Sequence, residues 1–146
     1  MLHETRHGIL KEKIRTGKKE REKIEGKITR ILADEELSAI KAMLEKDHAI
    51  DCMFLLFMNK GRWMEAKEFI GTIGKHIADN TFRARMMEIV DLELATRKNI
   101  GKHPNQYRYV ITDFGEKLGE LLLGFFDGFA RARAIEENEK FREGDT

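Results

Sequence analysis

Apolar residues recur along this chain at two different periods, and the change of period divides it. Ile24, Ile28, Ile31 and Leu32, then Leu37, Ile40, Met43 and Leu44, fall at helical spacing. Asp34 sits between the two groups and is suited to cap the second, so helices are predicted at about 21–32 and 35–45, or one bent helix across both. The most apolar segment, Ile50 to Met58, lies in a helix expected over 47–59, opened by Asp47 and closed by Gly61. Ala66, Phe69, Ile70 and Ile73 make the inner face of a helix over 65–73 that Gly74 stops, with Trp63 packed between it and the preceding helix. Asn80 is a good N-cap for the next helix, about 80–92, whose inner face holds Phe82, Met86, Ile89 and Val90.

The period then drops to two. Leu94–Lys98 and Gln106–Thr112 alternate, and Asn99, Gly101, Pro104 and Asn105 lie between them, so they read as a β-hairpin. Helical spacing returns at Asp113, with Thr112 or Asp113 as the cap, and Leu118, Leu121, Leu122, Phe125, Phe126 and Phe129 form a broad apolar face. Residues 1–23 are polar, with Gly8 and Gly17 as breakers, and read as a frayed helix or a mobile arm; residues from about 136 onward are polar and expected to fray. The expected organisation is a basic N-terminal segment (1–23), N-terminal helices (24–46), a helix–helix–helix–hairpin unit (47–114) and a C-terminal helix (115–146).

Charge changes this picture by its distribution. The 146 residues carry 27 Lys/Arg and 26 Asp/Glu, a net of +1, which favours no class of partner. Residues 1–30 carry ten bases against five acids, 94–112 carry four bases (Arg97, Lys98, Lys102, Arg108) and no acid, and 113–146 carry nine acids against five bases. Local positive potential is what a nucleic-acid binder needs, because phosphate neutralisation supplies most of its affinity. Cys52 is the sole cysteine, which excludes an intramolecular disulfide and a cysteine-based zinc cluster. Met1–Leu10 lacks the apolar core of a signal peptide and no run is long enough to span a membrane, so the expected location is the cytoplasm.

Two short motifs carry a resemblance. Asn80-Thr-Phe-Arg-Ala-Arg-Met-Met-Glu-Ile89 is similar to the recognition helix, and Tyr109-Val-Ile-Thr-Asp-Phe-Gly115 to the strand-to-helix signature, of bacterial and archaeal regulators of the MarR, PadR and HxlR kinds. The likeness covers 47–122. In these families glycine usually precedes the first wing strand, where this chain has Glu93, and MarR proteins usually carry an Asp-x-Arg in the wing, which is absent. The resemblance implies a mostly α fold with a small β-hairpin: a winged helix-turn-helix with flanking N- and C-terminal dimerisation helices. It also implies a sequence-specific double-stranded DNA-binding transcriptional regulator acting as a homodimer. Helix 80–92 would enter the major groove and the wing, about 94–112, would lie on the backbone or minor groove. The alternative is a winged-helix adaptor that binds protein and not DNA.

On this reading Arg83 and Arg85 are the leading base readers, since the guanidinium fork matches guanine O6 and N7. Asn80 and Thr81 suit phosphate or adenine, and Ala84 and Met87 complete the outer face. Arg97, Lys98, Lys102, His103 and Arg108 would hold the backbone. Leu121, Leu122, Phe125, Phe126 and Phe129 exceed what one small core covers and predict a dimer interface, with Gly115, Gly119, Gly124 and Gly128 permitting close approach. His48 and Cys52 stand one helical turn apart and form a candidate sensor pair; the plainer reading of Cys52 is a small core residue. Met53, Met58, Met64, Met86 and Met87 could shape a pocket for a small-molecule effector, or simply fill the core. No catalytic constellation, cofactor motif or metal set is present, and no enzyme is expected.

Overall fold

Asp34 ends one helix and begins another. Its carboxylate accepts the backbone N–H of Leu37 at 3.0 Å, the N-cap expected of it. It separates α1 (Leu2–Ala33) from α2 (Glu35–Leu44). The computed structural model describes residues 2–70, 77–101 and 106–144; side chains are described over 16–69, 77–101 and 106–140. Two compact units divide the chain, Met1–Ala42 and Met43–Thr146. In the first, Ile24, Ile28, Ile31 and Leu32 of α1 are exposed, and Ser38 donates to the Leu32 carbonyl at 3.1 Å across the α1–α2 junction.

The second unit holds the core. It continues with α3 (Ala49–Met58), β1 (Met64–Glu65), α4 (Ala66–Ile70), α5 (Asp79–Asp91), β2 (Ala95–Asn99), β3 (Tyr107–Ile111) and α6 (Asp113–Gly144). The strands form an antiparallel sheet in the order β1–β3–β2, with Met64 opposite Tyr109 and Arg97 also opposite Tyr109. The sequence showed the β2–β3 hairpin but not β1, since two residues are too few for alternation to register. This sheet packed against α3, α4 and α5 is a winged helix-turn-helix, as the resemblance implied. Phe82, Met86 and Ile89 of α5 meet Cys52, Met53, Leu55 and Leu56 of α3, Phe69 of α4, and Leu94, Tyr109 and Ile111 of the wing in one cluster. Of the apolar residues expected on these helix faces, Phe69, Phe82, Met86 and Ile89 are buried and Ala66 and Val90 are partly buried, while Met58 at the end of α3 is exposed.

Two helix starts differ from expectation. His48, not Asp47, is the N-cap of α3; it is left-handed (φ 61°) and makes no side-chain cap bond. Asp47 instead offers its backbone carbonyl to Arg85 Nε at 2.9 Å. Ala78, not Asn80, is the N-cap of α5, which begins at Asp79, so Asn80 lies inside the first turn. For α4, Glu68 reaches back to accept the N–H of Glu65 at 2.8 Å, closing the helix start from within. Ile73 and Gly74, expected to end this helix, lie outside the described residues.

The join between wing and α6 is tighter than sequence showed. Thr112 Oγ1 donates to the Glu93 carbonyl at 2.7 Å and accepts the N–H of Gly115 at 3.0 Å, while Thr112 N–H donates to Leu94 O at 3.0 Å. One hydroxyl therefore caps α6 and pins the turn between α5 and β2. Glu93 in that turn has φ 63°, a left-handed conformation that glycine adopts most readily. Gly115 cannot carry a side chain: a Cβ there would stand 1.9 Å from Leu94 O. At Gly119 a Cβ would meet the Phe57 ring at 2.6 Å. These two glycines serve packing within the chain, whereas Gly124 and Gly128 have nothing within 4 Å.

Thr112→Val keeps the shape and deletes both hydroxyl bonds. It is expected to lower stability by about 1–2 kcal/mol, with Thr112→Ser restoring most of it, as read from urea unfolding midpoints. Equal midpoints for Val and wild type would show that the hydroxyl is dispensable.

Candidate nucleic-acid interface

The outer face of α5 is built by exclusion. Burying Phe82, Met86 and Ile89 leaves Asn80, Arg83, Ala84 and Met87 exposed and Thr81 half-buried. Among the described residues no acid forms an ion pair with Arg83. Arg83 lines one cleft with Asp79 and Phe82 of α5, Glu65, Ala66 and Lys67 at the β1–α4 junction, and Ile100, Gln106 and Tyr107 of the wing. Helix α5 and the ribbon thus open onto a shared cleft.

Tyr109 marks where they meet. Burial raises its hydroxyl pKa above the ordinary value; the Arg97 guanidinium opposes that rise, Tyr107 adds to it, and Arg83 opposes it. Arg97 also lies over the Tyr107 ring at 4.4 Å, a contact that holds its long side chain along the strand.

Arg85 does not join this set. Its side chain is 15% exposed, and NH1 donates to both carboxylate oxygens of Glu88, at 2.9 and 2.7 Å, while Nε holds Asp47 O. Lys46 closes on the same Glu88 at 2.9 Å. Desolvation raises the Glu88 pKa, but hydrogen bonds from Lys46 and Arg85 and their charges outweigh it, so the carboxyl titrates below its usual range. The cluster ties α5 to the turn before α3 and removes Arg85 from the base-reading role expected of it. The three-residue spacing of Arg85 and Glu88 was the available signal.

The wing cations divide by strand alternation. Arg97 shares a face with Tyr107 and Tyr109; Lys98 and Arg108 are partners on the other. Lys98 stands over the Trp63 ring at 4.2 Å, and Arg108 lies 3.7 Å from Glu65. Trp63 therefore flanks the sheet, 39% exposed, rather than packing between the first two helices of the motif. The short strand β1 carries it there, which sequence could not show. Lys102 and His103 lie outside the described residues.

The α6 face splits in two. Leu122 packs with Leu118 against the core, while Leu121, Phe125, Phe126 and Phe129 are exposed. Phe126 meets Phe54 edge-on at 6.0 Å, and Phe125 stacks with Phe129 at 6.0 Å. From Leu123 to Lys140 every residue is exposed.

Cys52 is fully buried, and burial, then the Asp51 carboxylate, push its pKa up to about 12, against a smaller opposing effect of Arg85. The His48 ring is bonded to Asp51 at 3.1 Å. The described residues hold no group of three His, Cys, Asp or Glu able to bind a metal. Met53, Met64 and Met86 fill the core, and Met58 and Met87 are exposed, so these five do not line one pocket. No described helix is long and apolar enough to cross a membrane.

No protein-family model matches the chain, and no curated protein sequence matches it. Solved structures do. A point mutant of MepR from S. aureus matches with a TM-score of 0.52 at 12% identity, over 84% of this chain and 91% of that one. The reduced form of the transcriptional regulator YodB from B. subtilis gives 0.51 at 18% identity, over 64% and 88%. A second S. aureus MepR mutant, bound to an oligodeoxyribonucleotide, gives 0.51 at 12% identity, over 85% and 91%. The chain has the winged-helix fold of these MarR-like regulators.

A thiol with this pKa is almost wholly protonated at neutral pH, and the thiolate is the reactive form. A thiol reagent at pH 8 is expected to leave native Cys52 unlabelled over the time in which it labels the denatured chain completely. Equal labelling in both states would show that Cys52 is accessible and ionised.

Proposed function

We propose that this protein is a homodimeric transcriptional regulator that binds specific double-stranded DNA, with α5 in the major groove and the β2–β3 wing along the backbone or minor groove. The observation that carries the reading is that Arg83 of α5 lines one cleft with Tyr107 of the wing, the ring over which Arg97 lies at 4.4 Å. A groove-facing helix with an exposed guanidinium beside an acid-free ribbon is the electrostatic footprint of a duplex binder. The oligodeoxyribonucleotide bound to the MepR mutant of the same fold supports it.

In this reading Arg83 reads a base, and Asn80 and Thr81, in the first turn of α5, serve phosphate or adenine. Arg97, Lys98 and Arg108, with Lys102 and His103 beyond them in sequence, supply contacts indifferent to sequence. Leu121, Phe125, Phe126 and Phe129 of α6 pair with a second copy, whose recognition helix then lies about one DNA turn away, ~34 Å. Each of these aromatic side chains left in water forgoes about 2 kcal/mol of burial, so a partner for the stripe is strongly favoured.

Affinity for duplex DNA should fall steeply with salt, by about 0.9 in log–log slope for each phosphate neutralised. Arg83→Ala is expected to cost about 1–3 kcal/mol and relax one base preference, while Lys98→Ala weakens all sequences alike and lowers the salt slope by about one. Fluorescence anisotropy against salt measures both; binding indifferent to salt, or none, would reject the reading. Separately, the double substitution Phe125→Glu with Phe129→Glu should give a folded monomer by sedimentation velocity where the wild type is a dimer. A wild-type monomer at micromolar concentration would remove the dimer and leave the DNA reading to its own test.

A further inference from the structure

With Arg85 bound to Glu88 and Asp47, the exposed strip of α5 has an unusual composition. Successive helical residues turn by about 100°, so Asn80, Arg83, Ala84 and Met87 fall within about a third of the circumference. Asn80 to Met87 spans about 10 Å at ~1.5 Å per residue, comparable to three base pairs at ~3.4 Å each. At the centre of the strip are two apolar groups, Ala84 and Met87, the latter 49% exposed. Neither can neutralise a phosphate. The one apolar group on the floor of the major groove is the thymine C5-methyl. Asp91, exposed on the same face one turn past Met87, sets the far limit of the strip, because a carboxylate repels phosphate.

We propose that α5 recognises thymine through its methyl group: Met87 and Ala84 cover thymine C5-methyls next to a single guanine held by Arg83, so each half-site is a short G-and-T-containing step with no second arginine-read guanine. This rests on α5 being the groove-facing helix. Met87 is a specificity residue because its thioether reaches into the groove and makes a polarisable apolar contact. Arg83 supplies the one bidentate contact, and Asn80 closes the strip at its N-terminal end.

The test uses the full chain and a random-sequence duplex pool. Sequences retained by the protein are identified, and the best duplex is resynthesised with uracil in place of each thymine in turn, which removes only the methyl. The expected result is a loss of roughly fourfold for each thymine facing Met87 or Ala84, the factor that one buried methyl carries, and no loss elsewhere. Met87→Ala should flatten the thymine–uracil difference at its step while Arg83→Ala leaves that difference intact and relaxes the guanine. Met87→Gln, which keeps length and adds polarity, serves as the second variant and should flatten it too. Selected sequences whose affinity is indifferent to uracil at every position, or a difference that survives both Met87 variants, would overturn the proposal while leaving DNA binding standing. Retention of no duplex at low salt would instead remove the DNA-binding reading beneath it.

Discussion

One hydroxyl holds the working parts of this molecule in register. Thr112 closes the first turn of α6 through Gly115 N–H and, with the same oxygen, grips the Glu93 carbonyl in the turn that ends α5. Its own N–H takes Leu94 O. Helix α5, the wing and α6 therefore meet within a few residues, and the orientation of each fixes the others. Gly115 is part of the same constraint: Leu94 O occupies the space a side chain would need. This corner holds the ribbon beside α5, where Arg83 and Tyr107 line one cleft.

A second constraint edits the chemistry of that surface. Lys46, Arg85 and Glu88 form a cluster in which one carboxylate holds two cations. Three charge-assisted hydrogen bonds of Arg85 tie α5 to the turn preceding α3 while it is largely withdrawn from water. Three charges are spent on position, leaving Arg83 as the exposed guanidinium of α5. The outer face becomes part polar and part apolar, a character hidden by counting charges along the helix.

The long α6 obeys two masters. Its first three turns, through Leu118, Gly119 and Leu122, belong to the core; beyond Leu123 it carries exposed aromatic residues on an otherwise polar rod. The glycines follow the same division. Gly115 and Gly119 are forced by close neighbours, while Gly124 and Gly128 face open space. Four glycines at similar spacing, which in sequence look like one stripe, thus have two origins.

Sequence alone determined the order of helices, the hairpin and the content of the core. Periodicity reports burial, and burial of Phe82, Met86, Ile89, Met53 and Leu56 follows from local spacing. It also determined the cap at Asp34 and narrowed that of α6 to Thr112 or Asp113, because such caps bond within three residues; the structure selects Thr112. Only the tertiary structure decided what depends on neighbours distant in the chain. Asp47, 38 positions from Arg85, captures it; a two-residue strand draws Trp63 onto the sheet, where Lys98 stands over its ring. A residue's local period says which way it points, but which group it meets is set by the fold that brings distant segments together.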